Sequence, residues 1–472
     1  VQWVLITQIF SSMYELNHNL ELVPVLAESY EASEDGLTYT FKLREGVKFH
    51  NGDDFTSADV KYTFDWTKNP DNASVNAGAT ELVESVETPD DYTVVVNLTA
   101  PDVTFMIGGA ALSILPSKAH EEMGEEEFSA DPIGTGPFML EEWNAQQRTV
   151  LAAFEDHFRG RPNFDRFQLD VVPEAGGRLA ALESGQAHNS VWALNAEDNI
   201  LMMENEDFTY YETIQDAVNH FPMNNQHPVL GDVQVRKALM HAIDREAIIA
   251  DIFMDQATLA TANLSPKHER YYNPDVTLYD YNPDTARQLL EEAGWVEGDD
   301  GIREKDGEKL SFTCVTITGD SNRRPEAELA QQWFKEIGVD MQLQEATVDI
   351  ILDAMTAGEM DMSLFNWTYG GNNGDPDARD TLGSDGANNF SNYSNERVDE
   401  LLLQGIQEQD EEVRAEIYKE IQAIVAEEVP FLYILYFNDY AFYHNSVKGL
   451  PESILSSEGI YPFAFQLWLE EE

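Results

Sequence analysis

The chain has 472 residues, of which 43% are hydrophobic and 11% aromatic, so it can bury a large core and is not a disordered polyelectrolyte. Its 87 Asp and Glu residues outnumber 28 Lys and Arg residues, which gives a formal net charge of −59 at pH 7. A negative field of this size repels nucleic acid and anionic lipid, so we expect neither as a partner.

The acidic residues recur along the whole chain and are not gathered in one tail. At ordinary ionic strength their mutual repulsion works against a compact state, whereas in molar salt the Debye length falls to about 3 Å. The composition therefore favours a halophilic protein of the haloarchaeal type. An acidic protein of an ordinary mesophile is the alternative.

The single cysteine and the first residues bear on the compartment. Cys314 cannot form a disulfide within the chain, and the alternating pattern of residues 310–318 predicts that its thiol is buried. The apolar runs are far shorter than the ~20 residues of a membrane span. We expect a signal sequence or a lipid-anchor cysteine before Val1, and attachment to a membrane only through that anchor.

The first predicted elements are a strand and a capped helix. Alternating polar and apolar residues predict a half-buried strand at Thr38–Leu43, between turn signals at Asp35-Gly36 and Asn51-Gly52. Thr56 is then the predicted N-cap of a helix whose first turn contains Asp59.

Helices and strands alternate in the rest of the chain, which indicates an α/β fold. Residues 232–249 have the period of one amphipathic helix, and Asn282 followed by Pro283 begins another. Gly338 marks a change from helical to strand period. The remaining predicted elements are a strand at 92–98, a Gly/Pro turn and strand within 133–143, a helix at 178–186, a hairpin turning at Asp306-Gly307, and a pair of helices that ends before Pro430.

The order of these segments resembles that of the family 5 solute-binding proteins of ABC importers, the dipeptide- and oligopeptide-binding group. The resemblance covers nearly the whole chain. It is strongest in LAESYEASEDGLTYTFKLREGVKFHNGDDFTSADVKYTFD and continues through segments that include IGTGPFMLEEW, DVQVRKALMHAIDREAI, YNPDTARQLLEEAGW, NWTYGGNNGDPDA and NYSNERVDELL.

The resemblance implies the α/β clamshell of type II (class C) periplasmic binding proteins, with two lobes and an extra inserted domain. Its implied boundaries are 1–26, 132–224 and 448–472 for lobe I, 27–131 for the inserted domain II, and 225–447 for lobe III. Ligand contacts to both lobes would favour the closed state.

The function implied by the resemblance is that of an extracellular receptor anchored at the cell surface. It would capture a peptide or peptide-like solute and deliver it to the permease subunits of an ABC importer. An oligosaccharide receptor of the same family, or a surface structural or assembly protein built on this fold, are the alternatives. We predict no enzyme activity, no catalytic residue, no metal site and no cofactor, because no GxSxG, Walker or HExxH motif occurs.

The resemblance also suggests how a ligand would be held. Peptide binders of this family hold the ligand amine with an aspartate shortly before a D/E-P turn, but Asn372 stands at the matching position. Asp375 could take that role, or the ligand could lack a free amine. Arg323 and Arg324 lie where dipeptide binders place arginines that meet a ligand carboxylate. The full predicted set is Trp192, Asn219, Arg323, Arg324, Asn366, Trp367, Tyr369, Asn372 and Asp375.

Each of these residues also has a purely structural interpretation. The arginines could form surface ion pairs with the abundant acids. Asp375 could belong to a turn, and Trp367 and Tyr369 could pack in a core.

Overall fold

The computed structural model describes residues 2–144, 147–190, 194–320, 322–368, 375–455 and 458–470. The chain forms two compact units, one of Val1–Thr213 with Asp439–Glu472 and the other of Ile214–Asn438. These units divide the chain near, but not at, the predicted boundaries of 224 and 447. The three-part division, with its separate domain at 27–131, stays a prediction.

The first unit begins with helices and antiparallel sheets. Its elements up to the second unit are α1 Gln2–Ile9, β1 Tyr14–Leu16, β2 Leu22–Pro24, β3 Ala27–Ala32, β4 Thr38–Leu43, α2 Ser57–Lys68, β5 Val83–Asp90, β6 Thr93–Leu98, α3 Ser117–Ala130, β7 Phe138–Asn144, β8 Arg148–Ala153, β9 Arg166–Asp170, α4 Ala175–Glu183 and α5 Ala196–Met203.

The chain then passes into the second unit along β10 Phe208–Pro222. The following elements of the second unit are α6 Val233–Ala242, α7 Arg245–Phe253, β11 Ala257–Leu259, α8 Pro283–Glu292, β12 Val296–Glu297, β13 Arg303–Lys305, β14 Glu308–Lys309, β15 Ser311–Ile317, α9 Arg323–Glu336, β16 Asp340–Ala346, α10 Val348–Thr356, β17 Met362–Ser363, β18 Phe365–Thr368, α11 Arg379–Leu382, α12 Glu396–Gln407 and α13 Glu411–Glu428. The chain returns to the first unit along β19 Phe431–His444, and that unit also contains β20 Val447–Lys448 and β21 Trp468–Leu469.

The predicted strand and capped helix of the first unit are confirmed. β4 covers the predicted residues and lies inside an antiparallel sheet of order β3-β4-β6-β5. The Asp59 carboxylate accepts the Thr56 backbone N–H at 2.9 Å and the Ser117 hydroxyl at 2.7 Å. Asp59 therefore caps the start of α2 and also ties it to the start of α3.

The second unit places a parallel sheet beside an antiparallel one. β15 pairs in parallel with β16 and β17, while β11, β19, β10 and β18 form a sheet in that order. Cys314 is fully buried in the middle of β15, as predicted, and burial raises the pKa of its thiol. The hairpin is also confirmed, with positive φ at both Asp306 and Gly307.

The prediction of one continuous helix over 232–249 is wrong. The structure has two helices, α6 and α7, separated by Ile243 in an extended conformation. Asp244 caps α7 by accepting the Ala247 N–H at 2.9 Å. Arg245 then turns inward, and its guanidinium donates to the carbonyls of Ala260 at 2.7 Å and Tyr279 at 2.8 Å. These hydrogen bonds to distant residues stabilise the break between the helices, although the sequence periodicity favours one continuous helix.

Among the described residues, no helix is long and apolar enough to span a membrane.

Candidate functional site

Two predicted site residues lie opposite each other on neighbouring strands. β10 and β18 pair antiparallel, with Asn219 opposite Asn366 and Val218 opposite Trp367. Directly opposed residues point to the same face of a sheet, so both asparagine side chains lie on one face. β18 is the outer strand of its sheet, which puts this pair next to a sheet edge within the second unit.

Arg323, the first residue of α9, joins this face. Its guanidinium donates to the Asn366 side-chain oxygen and to the Asp320 carboxylate, and it lies 5.6 Å from the centre of the Phe365 ring. Asp320 also accepts the Arg323 backbone N–H at 2.9 Å. The Arg323 Nε is buried, and no described residue is its hydrogen-bond partner. The structure thus brings Asn219, Asn366 and Arg323 into one polar cluster.

The same cluster contains Glu326, which the sequence analysis missed. Glu326 is fully buried and accepts a hydrogen bond of 2.6 Å from the Asn219 side-chain nitrogen. Burial raises the pKa of Glu326 to about 8, although Asn219 and the Arg323 charge oppose the shift. A signal was present, because Glu326 shares the buried face of α9 with Ala330 and Phe334.

Two oxygens of this cluster are sealed from solvent and have no hydrogen-bond partner among the described residues. They are Oδ1 of Asn219 and Oε1 of Glu326. Most buried polar groups in proteins are hydrogen-bonded, so these two atoms are exceptions within the cluster. Next to Asn219, burial lowers the pKa of His220 to about 3, so that ring is neutral at pH 7.

Trp367 is half-buried among aromatic rings. Its ring is 5.1 Å from that of Phe390 in an edge-to-face arrangement and 5.8 Å from that of Phe365. The contacts fix the indole in place while part of it stays accessible. This position is compatible with a ligand-binding role and with packing in a core, so the role of Trp367 in binding stays a prediction.

Arg324 lies apart from the cluster, on the exposed side of α9. Its guanidinium pairs with Glu328 and with Glu345, each at 2.9 Å. The adjacent arginines therefore differ, since Arg323 bonds to the strand pair and Arg324 to surface carboxylates. A binding role for Arg324 stays a prediction.

Asp375 is already part of a buried ion pair. Its two carboxylate oxygens lie 2.8 and 2.7 Å from a terminal nitrogen of Arg414, and the two residues are 8% and 6% exposed. Arg414 also lies 5.4 Å from the centre of the Tyr271 ring and 5.3 Å from that of Tyr418. Burial raises the pKa of Asp375, and the Arg414 charge opposes the shift. To hold a ligand amine, Asp375 would have to leave Arg414 unpaired, which is costly.

The remaining predicted site residues, Trp192, Tyr369 and Asn372, lie outside the described residues. Within the described ranges, no group of three or more His, Cys, Asp or Glu side chains could hold a metal ion.

Comparison with known proteins identifies the family. Residues 21–389 match the family described as bacterial extracellular solute-binding proteins, family 5 Middle. The chain belongs to this family. Family 5 proteins are extracytoplasmic solute-binding proteins and not enzymes. At the level of the family, this agrees with the predicted location and with the prediction of no enzyme activity.

Individual family 5 members match nearly the whole chain. Heme-binding protein A of Haemophilus influenzae is 30% identical and covers 96% of this chain and 86% of its own length. The dipeptide-binding protein of Escherichia coli is also 30% identical, and the match covers 91% of this chain and 83% of that protein. The structure of the oligopeptide-binding protein AppA of Bacillus subtilis, solved in complex with a nonapeptide, matches this chain with a TM-score of 0.87. The two are 26% identical, and the match covers 99% of this chain and 94% of AppA. The predicted fold class is confirmed.

Proposed function

We propose that this chain is the extracytoplasmic receptor of an ABC importer for a peptide or peptide-like solute. The observation that carries the proposal is the match to AppA, which was solved with a nonapeptide and which this chain resembles over 99% of its length. The E. coli relative named for dipeptide binding adds support at 30% identity.

The cluster on β10, β18 and α9 has the chemistry that a peptide requires. A peptide backbone presents N–H donors and C=O acceptors, and side-chain amides can meet both kinds of group. In the proposal, Asn219 and Asn366 contact the ligand backbone, Arg323 holds Asn366 in position, and Trp367 packs against a ligand side chain. The proposed set also includes Trp192, Tyr369 and Asn372. Because Asn372 stands in place of an aspartate, the site would bind a free amine more weakly.

The composition supports a finer proposal about the setting. A net charge of −59 suits a protein that works in concentrated salt, so we propose a receptor at the surface of a halophilic cell. An oligosaccharide ligand is the rival within the family. Asn372 is the observation that favours it, because a sugar has no amine for a carboxylate to hold.

The test is to identify what the protein carries and what stabilises it. Protein purified in high salt is analysed by native mass spectrometry, the bound molecule is released and sequenced, and thermal unfolding is followed with peptides, oligosaccharides and hemin. We expect short peptides to co-purify and to raise the unfolding temperature. If only a sugar or hemin binds, or if nothing does, the peptide proposal is wrong.

A pair of variants tests the cluster separately. Arg323→Gln removes the charge that holds Asn366, and we expect it to weaken peptide binding by about tenfold or more. The matched control is Arg287→Gln on α8, where the arginine pairs with Asp284 at 2.7 Å on the surface. We expect its affinity to stay within about twofold of the wild type, as surface ion pairs contribute little. Equal losses in both variants would contradict a role for the cluster.

A further inference from the structure

The first turn of α9 is joined to the β10–β18 pair at two points, both within the second unit. Arg323 donates to the Asn366 side-chain oxygen, and Asn219 donates to the Glu326 carboxyl at 2.6 Å. Asn366 and Asn219 are directly opposite each other in the strand register. Arg323 and Glu326 are three residues apart in one helix, a spacing that makes their side chains neighbours. The four side chains therefore form a closed ring, which we call the α9 ring.

Glu326 is the member of the α9 ring whose charge can change. It is fully buried, and neither its Oε1 nor the Asn219 Oδ1 has a hydrogen-bond partner among the described residues. A carboxylate only accepts hydrogen bonds, whereas a protonated carboxyl also donates one. Burial raises the pKa of Glu326 to about 8, so most of the protein carries it protonated at pH 7. In that form it is a neutral group that accepts the Asn219 N–H.

Two charged groups act on Glu326. The Arg323 guanidinium favours the ionised form, and the Asp320 carboxylate favours the protonated one. The His220 ring on β10 is neutral at pH 7, because burial lowers its pKa to about 3. β15 contributes only the thiol of Cys314, whose pKa is raised by burial. The other titratable groups of the neighbouring strands and helices bond elsewhere or are exposed: Asp216 of β10, Asp340 and Glu345 of β16, Arg236, Lys237 and His241 of α6, and Arg245, Glu246 and Asp251 of α7.

Ionisation of Glu326 would give Arg323 a competing partner. A buried carboxylate is unfavourable unless an opposite charge pairs with it, and Arg323 carries a positive charge one turn away. The Arg323 Nε is buried and no described residue accepts from it, while the terminal nitrogens donate to Asp320 and Asn366. A guanidinium that turns toward Glu326 would give up one of these two bonds. The proton on Glu326 therefore determines which acceptors Arg323 holds.

We propose that protonated Glu326 is a positioning residue of the peptide site, which holds Asn219 in place and leaves Arg323 to Asn366. Glu326 acts through these side chains and does not itself contact the ligand. This inference rests on the proposed peptide function and adds its regulation by pH. Loss of the proton would draw Arg323 away from Asn366, so the apparent affinity should fall with the protonated fraction.

The test measures peptide affinity at pH 7 and at pH 9.5 in the same high-salt buffer. A pool of tri- to pentapeptides is presented to the protein in equilibrium dialysis, and bound peptides are quantified by mass spectrometry. A group with a pKa of about 8 is about 90% protonated at pH 7 and about 3% at pH 9.5. We expect the wild type to bind about tenfold or more weakly at the higher pH.

Glu326→Gln separates this effect from titration of the peptides. Glutamine accepts the Asn219 N–H but does not titrate, whereas the peptide amino groups titrate equally in both experiments. We therefore expect the loss of affinity between pH 7 and pH 9.5 to be about tenfold or more greater in the wild type than in Glu326→Gln. Each loss compares one protein with itself, so a difference in stability between the two proteins does not enter it.

Two further variants serve as controls. Glu336→Gln removes an exposed carboxylate at the other end of α9 and should keep the pH dependence of the wild type. Glu326→Met neither titrates nor accepts the Asn219 N–H. We expect its affinity to lack the added pH dependence, as in Glu326→Gln, but to be about fivefold or more weaker than that variant at pH 7.

The outcomes separate the two proposals. If the wild type and Glu326→Gln lose affinity equally, or if Glu326→Met binds as tightly as Glu326→Gln, then Glu326 does not position the site and the peptide function still stands. If the wild type binds no peptide at pH 7, the peptide function is wrong and this inference fails with it.

Discussion

At the scale of single residues, Glu326 is the most unusual group of the candidate site. It is a fully buried carboxyl whose partner is the neutral amide of Asn219. The pKa is about 8 in the folded protein, against an ordinary value of 4.5. At pH values between these two pKa values, Glu326 keeps a proton in the folded state that it has released in the unfolded state. Glu326 therefore makes the free energy of unfolding fall as pH rises from about 4.5 to 8.

Glu326→Gln should remove this pH dependence, since glutamine does not titrate. We expect the variant to gain stability relative to the wild type as pH rises from 5 to 8, by roughly 1 to 4 kcal/mol. The measurement is urea unfolding of both proteins at each pH in the same salt. All other carboxylates titrate in both proteins, so only the difference between them reports on Glu326. A difference that does not change with pH would contradict a buried, protonated Glu326.

At the scale of elements, the sequence predicted what depends on neighbouring residues. β4 has its predicted bounds, and the caps of α2 and α8 lie at Thr56 and Asn282 because these signals act within one turn. The break between α6 and α7 was missed because it also depends on Arg245, which reaches carbonyls from another part of the chain. Local periodicity contains no information about such partners.

In the candidate site, too, the sequence did not indicate contacts with distant parts of the chain. Asn219, Asn366 and Arg323 were found because the resemblance to the family supplied their positions. Glu326 was missed, since its partner Asn219 is 107 residues away and the contact requires both the β10–β18 pairing and the placement of α9.

The break between the helices gives a prediction for Asp244. Asp244→Ala removes the acceptor of the Ala247 N–H and should lower the free energy of unfolding by about 1 kcal/mol, the usual cost of losing an N-cap. Urea unfolding measures this change. Asp244→Asn keeps a capping oxygen and should lie close to the wild type. If the asparagine variant loses as much as the alanine variant, the charge and not the cap stabilises the start of α7.

At the scale of the whole molecule, the excess of acidic residues dominates. With 87 acidic and 28 basic side chains, most carboxylates lack an opposite charge even if every Lys and Arg is paired. Their repulsion is an unfavourable contribution to every compact state of the chain, and it weakens as salt shortens the screening length from about 10 Å at 0.1 M to 3 Å at 1 M.

We therefore expect thermal stability to rise with KCl. Between 0.1 and 2 M KCl, the midpoint of thermal unfolding, followed by circular dichroism, should increase by about 5 to 10 °C, which for units of this size corresponds to a few kcal/mol. A midpoint that stays constant or falls would mean that the acidic surface does not limit stability and would remove the support for a halophilic setting.

A charge-reduced variant separates screening from other effects of salt. Four exposed glutamates of α3 can be changed to glutamine together: Glu121, Glu122, Glu126 and Glu127. The removal of four negative charges then changes the net charge from −59 to −55. If repulsion is the cause, this variant unfolds at a higher temperature than the wild type in 0.1 M KCl, and the two midpoints converge at 2 M because the charges removed are already screened there. An offset that is equal at both salt concentrations would contradict repulsion as the cause, because repulsion weakens as salt rises.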